Sequence, residues 1–126
     1  MPRFGELESS IMDQVWAAPD PVSVRQVVSA LQPERPLAYT TVQTVMENLL
    51  HKGWLTRQRD GRAFLYRATA SRAHYVARLM DEALAGTPDR TAALATFAER
   101  MDPGEAEHLQ RALDAARSAR AVSEEP

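Results

Sequence analysis

A short run of hydroxyl and amide side chains opens one amphipathic segment, and these groups are suited to hydrogen bonding with nucleic-acid bases. The run comprises Tyr39, Thr40, Thr41, Gln43 and Thr44. Amide and hydroxyl groups meet base edges in the major groove, and threonine methyl groups contact thymine methyl groups. Thr40 and Gln43 also have the spacing of a capping box, so an N-cap role for Thr40 is an alternative compatible with base contact. Tyr39 fits packing or phosphate contact equally well.

Basic residues are concentrated just after this run. Residues 34–72 hold seven basic and three acidic side chains, a net +4, although the whole chain has a net charge of −2. Asp60-Gly61 predicts a two-residue hairpin turn with Arg59 and Arg62 beside the tip and Arg57 in the strand before it. A basic segment in an acidic chain indicates phosphate contact through one face, and the alternative is a solvated surface hairpin.

The elements that position these side chains are three helices and the hairpin. Apolar periodicity and prolines predict a first helix from Glu6 to Ala17, and a capping box predicts that a second helix begins at Ser23. A third helix should start between Ala38 and Thr40 and end at Gly53. The predicted strands place three apolar side chains on one face, in the core rather than as a stacking platform for bases: Leu55, Phe64 and Tyr66.

The rest of the chain has wholly helical periodicity. Thr87-Pro88 and Asp102-Pro103 predict two helix starts. Three short helices with narrow apolar stripes bury little by themselves, so we expect them to form a homodimer interface, with folding back onto the first domain as the alternative. The residues expected in that interface are Tyr75, Val76, Leu79, Met80, Leu94, Phe97, Leu109 and Leu113.

The predicted fold class is therefore mostly α with a small β-hairpin. A winged helix-turn-helix DNA-binding domain should occupy residues 1–70, followed by a three-helix dimerisation region at 71–120 and a disordered tail at 121–126. A helix with a polar face followed by a basic hairpin is typical of a winged helix-turn-helix domain that binds DNA, and this predicts transcriptional regulation. A winged helix that binds protein instead of DNA is the main alternative.

Other classes of function find little support in the sequence. Cysteine is absent, which excludes disulfides and thiolate metal sites. His51, His74 and His108 lack the spacing of metal ligands, and no glycine-rich phosphate loop or nucleophile elbow occurs. We therefore expect no enzyme activity, no metal and no cofactor. With no signal sequence or membrane span, a cytoplasmic location is expected.

The chain resembles the penicillinase repressors, a bacterial family. The resemblance covers residues 6–115 and rests above all on the string from Tyr39 to Val45, with Lys52-Gly53, Asp60-Gly61-Arg62 and the Phe64–Tyr66 strand continuing it. It implies a homodimer with an amino-terminal winged helix, which binds dyad operators containing TACA/TGTA half-sites and represses β-lactamase or related genes. By the same resemblance, the run from Tyr39 to Thr44 reads DNA, and Arg59 and Arg62 lie in the wing.

The resemblance also implies how repression is relieved. Family members are typically cleaved within the second dimerisation helix, in response to a membrane β-lactam sensor. The matching bond is Thr96–Phe97, with threonine where the staphylococcal-type members have asparagine. A sensor-linked protease is thus an expected partner, beside double-stranded DNA and a second copy of the chain.

Overall fold

The computed structural model describes residues 4–124, which form six helices and one antiparallel hairpin. The predicted fold class is confirmed. The elements follow in the order α1 (Glu6–Ala17), α2 (Val24–Leu31), α3 (Tyr39–His51), β1 (Leu55–Asp60), β2 (Ala63–Ala68), α4 (Arg72–Ala85), α5 (Arg90–Glu99) and α6 (Pro103–Glu124).

Helices α1, α2 and α3 enclose the core of the amino-terminal part. Helix α1 packs against α2, α3 and β2, and β1 packs against α3. The predicted capping box at Ser23 is confirmed, since its hydroxyl accepts from the Gln26 amide and the Gln26 side chain accepts from the Ser23 amide. Side chains exposed by no more than 1% lie at the centre of this core: Ile11, Met12, Val27, Val42, Met46, Leu49 and Tyr66.

The end of α3 is fixed by a Schellman motif. Gly53 has a φ of 88°, its amide donates to the Leu50 carbonyl, and the Trp54 amide donates to the Leu49 carbonyl. Glycine is the residue best suited to this left-handed conformation, because a Cβ atom would be strained there. The motif reverses the chain and directs Trp54 into the core as β1 begins.

The hairpin turn lies one residue later than predicted. Asp60 pairs with Ala63, so the two loop residues are Gly61 and Arg62 rather than Asp60 and Gly61. Gly61 has a φ of 63°, and no non-glycine residue among those described has a positive φ. A positive φ at the first loop position only is typical of a type II′ turn, which favours glycine there. Asp60 can therefore remain in the strand.

An aromatic cluster joins both ends of the amino-terminal part. Phe4 stacks on Tyr75 with ring centroids 4.1 Å apart, and Trp54 contacts both rings edge-on. The Tyr75 hydroxyl also accepts a hydrogen bond from the Phe4 amide at 2.9 Å. Tyr75, which we predicted in the dimer interface, is therefore a core residue, exposed by only 8%. Leu79 is half-buried against the same core.

This packing also places the boundary between the two units of the chain later than the sequence predicted. Contacts separate a unit ending at Glu82 from one beginning at Ala83, whereas the sequence predicted a boundary at residue 70. The reason is that the first part of α4 carries Tyr75 and Leu79, whose apolar side chains pack against the winged-helix core.

The second unit differs in detail from the sequence prediction. Asp89, not Thr87, caps α5, because its carboxylate accepts from the Ala92 amide. Asp102 caps α6 as predicted, accepting from the Glu105 amide. The predicted disordered tail is wrong for residues 121–124, which continue α6 to Glu124, and residues 125–126 lie outside the described part. Across residues 4–124, no helix is both long and apolar enough to span a membrane.

A salt bridge ties the start of α1 to the end of α3. Glu8 accepts from the Lys52 ammonium at 2.8 Å and from the Gly5 amide at 3.0 Å. The hydrogen bond from Lys52, followed by that from Gly5, holds the pKa of Glu8 below its ordinary value of 4.5. Because the folded protein favours the charged form, this contribution to stability is present at neutral pH and is lost as the pH falls below that value.

We therefore expect Glu8→Gln to reduce the acid sensitivity of the fold. Glutamine keeps an acceptor for the Gly5 amide and no longer titrates, so the variant should lose less of its neutral-pH stability between about pH 5 and about pH 3 than the parent chain. Urea unfolding at a series of pH values measures the difference. Parallel pH profiles for the two chains would contradict the role given to Glu8.

Candidate nucleic-acid interface

One face of α3 is polar, exposed and uncharged along its first two turns. Thr40, Thr41 and Thr44 are exposed, whereas Val42 and Met46 point into the core. The N-cap of α3 is Ala38, which makes no side-chain hydrogen bond, so the capping role considered for Thr40 is wrong. The Thr40 hydroxyl lies inside the first helical turn and is available to a ligand.

Gln43 and Tyr39 border this face. Gln43 is half-buried at its edge, and Tyr39 is 46% exposed at the first position of the helix. Neither side chain forms a hydrogen bond to another residue in the described part of the chain. Tyr39 is therefore not a core residue, which leaves its hydroxyl free to bind a phosphate.

The exposed face continues into the second half of α3, beyond the residues that we selected. Asn48 and His51 are exposed, and they lie four and seven residues after Thr44, on the same side of the helix. Helical periodicity from Thr44 is the signal that identifies them. Glu47, half-buried, is the one acidic side chain of α3.

Three of the seven basic residues counted in the sequence are neutralised by α1. Arg35 binds Glu6 at 2.6 Å, Lys52 binds Glu8, and Arg72 binds Asp13 at 2.9 Å. All four remaining arginines belong to the hairpin, where Asp60 is the only acidic residue: Arg57, Arg59, Arg62 and Arg67. Within residues 34–72, the basic residues available to a polyanion are thus confined to the hairpin, a shorter segment than the sequence predicted.

The four arginines occupy three different sites on the hairpin. Strand register places Arg57 and Arg59 on the face that carries Phe64 and Tyr66, because Arg57 pairs with Tyr66 and Arg59 with Phe64. Arg62 is exposed in the loop, without a hydrogen bond or ion pair to any described residue. Arg67 lies on the opposite face. Arg62, predicted beside the tip, is thus part of the tip itself.

The interface therefore has two components in one compact unit. The first is the neutral hydrogen-bonding face of α3, and the second is a hairpin with a net charge of +3, from four arginines and one aspartate. Uncharged donors and acceptors discriminate between bases, whereas arginines bind phosphates irrespective of sequence. Among the described residues, no group of three or more side chains could hold a metal ion.

Comparisons with known proteins identify this arrangement. The family model described as penicillinase repressor matches residues 4–115. A protein of Mycobacterium tuberculosis strain H37Rv, described as transcriptional regulator BlaI, is 46% identical over 114 residues, which span 88% of this chain and 83% of the relative. The same identity is found with the corresponding protein of strain CDC 1551.

A solved structure supports the fold. The solution structure of the DNA-binding domain of the repressor BlaI superposes with a TM-score of 0.51 at 24% identity, covering 57% of this chain and 87% of that domain. At this identity the likeness establishes the winged-helix fold alone. The matching family and relatives are transcriptional regulators, not enzymes.

The charge distribution leads to a prediction about salt. Arg62→Gln should reduce the slope of log affinity for duplex DNA against log salt by about 0.9, the value for one lost phosphate contact. Arg72→Gln is the matched control, because Arg72 is paired with Asp13 and should leave the slope unchanged. Fluorescence anisotropy titrations at several salt concentrations measure both slopes. Equal slopes for Arg62→Gln and the parent chain would remove Arg62 from the interface.

Proposed function

Because this chain belongs to the penicillinase repressor family, we propose that it is a sequence-specific DNA-binding repressor that acts as a homodimer on dyad operators. The operators would contain TACA/TGTA half-sites and control β-lactamase or related genes. One observation carries the proposal: the neutral polar face of α3 and the arginine hairpin belong to the same compact unit. We expect the protein to act in the cytoplasm, where its DNA is.

The two components would divide the work of recognition. Helix α3 would lie in the major groove with its amino-terminal half against the base edges, where Thr40, Thr41, Gln43 and Thr44 make sequence-dependent contacts. The hairpin would follow the backbone, with Arg57, Arg59 and Arg62 contacting phosphates or the minor groove. Tyr39 would add a phosphate contact at the start of the helix.

The exposed apolar side chains of the second unit favour a second copy of the chain as partner. None of the described residues from 83 to 123 is buried. Even the large apolar side chains of Leu94 and Phe97 are 52% and 49% exposed. Leu109 and Leu113 are also exposed, one turn apart on α6. Most of the stability of protein helices comes from packing of an apolar face, so these surfaces need a cover. A two-fold dimer would also present two winged helices to a palindromic site.

Helix α4 also carries exposed apolar side chains, in the part of it that belongs to the first unit. Val76 is 45% and Met80 50% exposed on the side of α4 that does not face the core. We propose that both contribute to the dimer, in contrast to Tyr75, which is enclosed by Phe4 and Trp54.

Release of repression would involve cleavage of the Thr96–Phe97 bond by a sensor-linked protease. This bond lies within α5, where the Thr96 hydroxyl donates to the Ala92 carbonyl at 2.9 Å. Proteases bind extended backbone, so α5 would have to unfold locally before cleavage. Within a single protomer α5 has ten residues and no buried side chain, which favours such opening.

A gel-shift titration against the chain's own upstream promoter DNA and a scrambled duplex, at several salt concentrations, tests the repressor function. We expect tight, salt-sensitive and sequence-selective binding with two protomers per site. Equal binding to both duplexes, or none, would favour the alternative of a winged helix that binds protein. That alternative gives no reason for four arginines on one hairpin.

Gln43→Ala should separate base reading from phosphate binding. Loss of one amide contact to a base is expected to weaken operator binding by about 1–3 kcal/mol while leaving binding to random DNA unchanged. Competition titrations with both duplexes measure the two effects. An equal loss on random DNA would show that Gln43 positions the helix without discriminating between bases.

Leu109→Asp should dissociate the dimer, because a carboxylate would be buried in an apolar interface without a partner. Ser118→Asp is the matched control, since residue 118 lies about two and a half turns further along α6, on the opposite side. Sedimentation velocity distinguishes the two variants. A Leu109→Asp variant that still sediments as a dimer would exclude this face of α6 from the interface.

A further inference from the structure

The inner face of the hairpin carries an arginine–aromatic stack, formed by Arg57, Arg59, Phe64 and Tyr66. The register Arg57–Tyr66 and Arg59–Phe64 places all four side chains on one face of the two strands. The Arg57 guanidinium carbon lies 4.0 Å from the centroid of the Phe64 ring, and that of Arg59 lies 5.5 Å from it. One aromatic ring therefore contacts two cations.

Hydrogen bonds hold both guanidinium groups in this arrangement. Arg57 donates from Nη1 to the Tyr66 hydroxyl at 3.1 Å, and Arg59 donates from Nε to the Gly61 carbonyl at 3.2 Å. Tyr66 is itself anchored in the core, since it is 1% exposed and its backbone exchanges two hydrogen bonds with Val22, at 2.7 and 2.9 Å. The hydrogen bond to Tyr66 thus fixes the orientation of Arg57 relative to the core of the domain.

Both arginines nevertheless remain exposed. Neither forms an ion pair with a carboxylate in the described part of the chain, so their charges are not neutralised. Stacking on an aromatic face orients a guanidinium without cancelling its charge, and it leaves part of the planar donor edge available to an anion. The negative face of the ring attracts both cations and so offsets part of the repulsion between them.

We propose that Phe64 is a positioning residue for DNA binding, which orders Arg57 and Arg59 in the free protein for contact with phosphates. The inference rests on the proposed function and adds to it a division among the arginines of the hairpin. Arg57 and Arg59 are ordered before binding and lose little rotamer freedom when they contact DNA. Arg62, in the loop, must be ordered by the DNA itself.

This role differs both from the core role that the sequence predicted for Phe64 and from the stacking platform that it disfavoured. As a half-buried residue, it contributes less to the core than Tyr66 does. It is not an open platform for a nucleobase either, because the Arg57 guanidinium already lies over its ring at 4.0 Å. The ring supports the cations that contact the nucleic acid.

Phe64→Leu and Phe64→Tyr test the proposal, since leucine keeps an apolar side chain without the aromatic face and tyrosine keeps the face. Phe64→Leu should weaken binding to the chain's own promoter duplex about two- to fivefold, the fold-change that corresponds to an exposed cation–π contact. The salt slope should not change, because the number of phosphates contacted is the same. Phe64→Tyr should bind like the parent chain.

Arg57→Gln with Arg59→Gln provides the background that separates positioning from packing. These two substitutions should reduce the salt slope by about 1.8, and adding Phe64→Leu to them should cost no further affinity. If Phe64→Leu weakens binding equally in both backgrounds, Phe64 acts through packing or direct DNA contact and the proposal is wrong. Unchanged binding by Phe64→Leu would overturn it as well.

A measurement without DNA keeps the inference separate from the proposed function. Nitrogen-15 relaxation of the guanidinium groups in the free protein should show Arg57 and Arg59 more ordered than Arg62, and Phe64→Leu should abolish that difference. If Phe64→Leu does not fold, Phe64→Met replaces it. Failure of the parent chain to bind any duplex would refute the repressor function, whereas equal disorder of all three arginines would refute the stack alone.

Discussion

The interface depends on the attachment of a two-stranded hairpin to a helical core. Two strands alone are only marginally stable in water, so this hairpin needs an anchor. Tyr66 provides it: its side chain is buried, its backbone pairs with Val22 in the connection between α1 and α2, and its hydroxyl accepts from Arg57. The same residue therefore fixes the hairpin to the core and orients one of its cations.

Charge is distributed so that a chain with a net charge of −2 carries a basic hairpin. Carboxylates of α1 pair with Arg35, Lys52 and Arg72, which fastens the ends of neighbouring elements to that helix. Exposed pairs of this kind contribute little stability individually. Their larger consequence is electrostatic, because they neutralise basic residues on both sides of the hairpin in the sequence, at positions 35, 52 and 72.

The sequence predicted the elements well, because periodicity, prolines and the capping residues at Ser23 and Asp102 act locally. Its errors concern features that depend on tertiary contacts. Tyr75 has the spacing of an interface residue, but only the fold brings Phe4 next to it. The one-residue shift of the turn to Gly61-Arg62 leaves Leu55, Phe64 and Tyr66 on the same face of the hairpin, so the alternation of apolar residues could not distinguish the two registers. Nor could strand alternation alone reveal that Phe64 lies under two guanidinium groups.

No side chain between residues 83 and 123 is buried within one protomer, so the stability of this unit should depend on the protein concentration. With a second copy as the proposed cover, folding of this unit is coupled to association and obeys mass action. Dilution would then loosen the helices and weaken the operator complex in a single step. A lower protein concentration would therefore act in the same direction as an inducer.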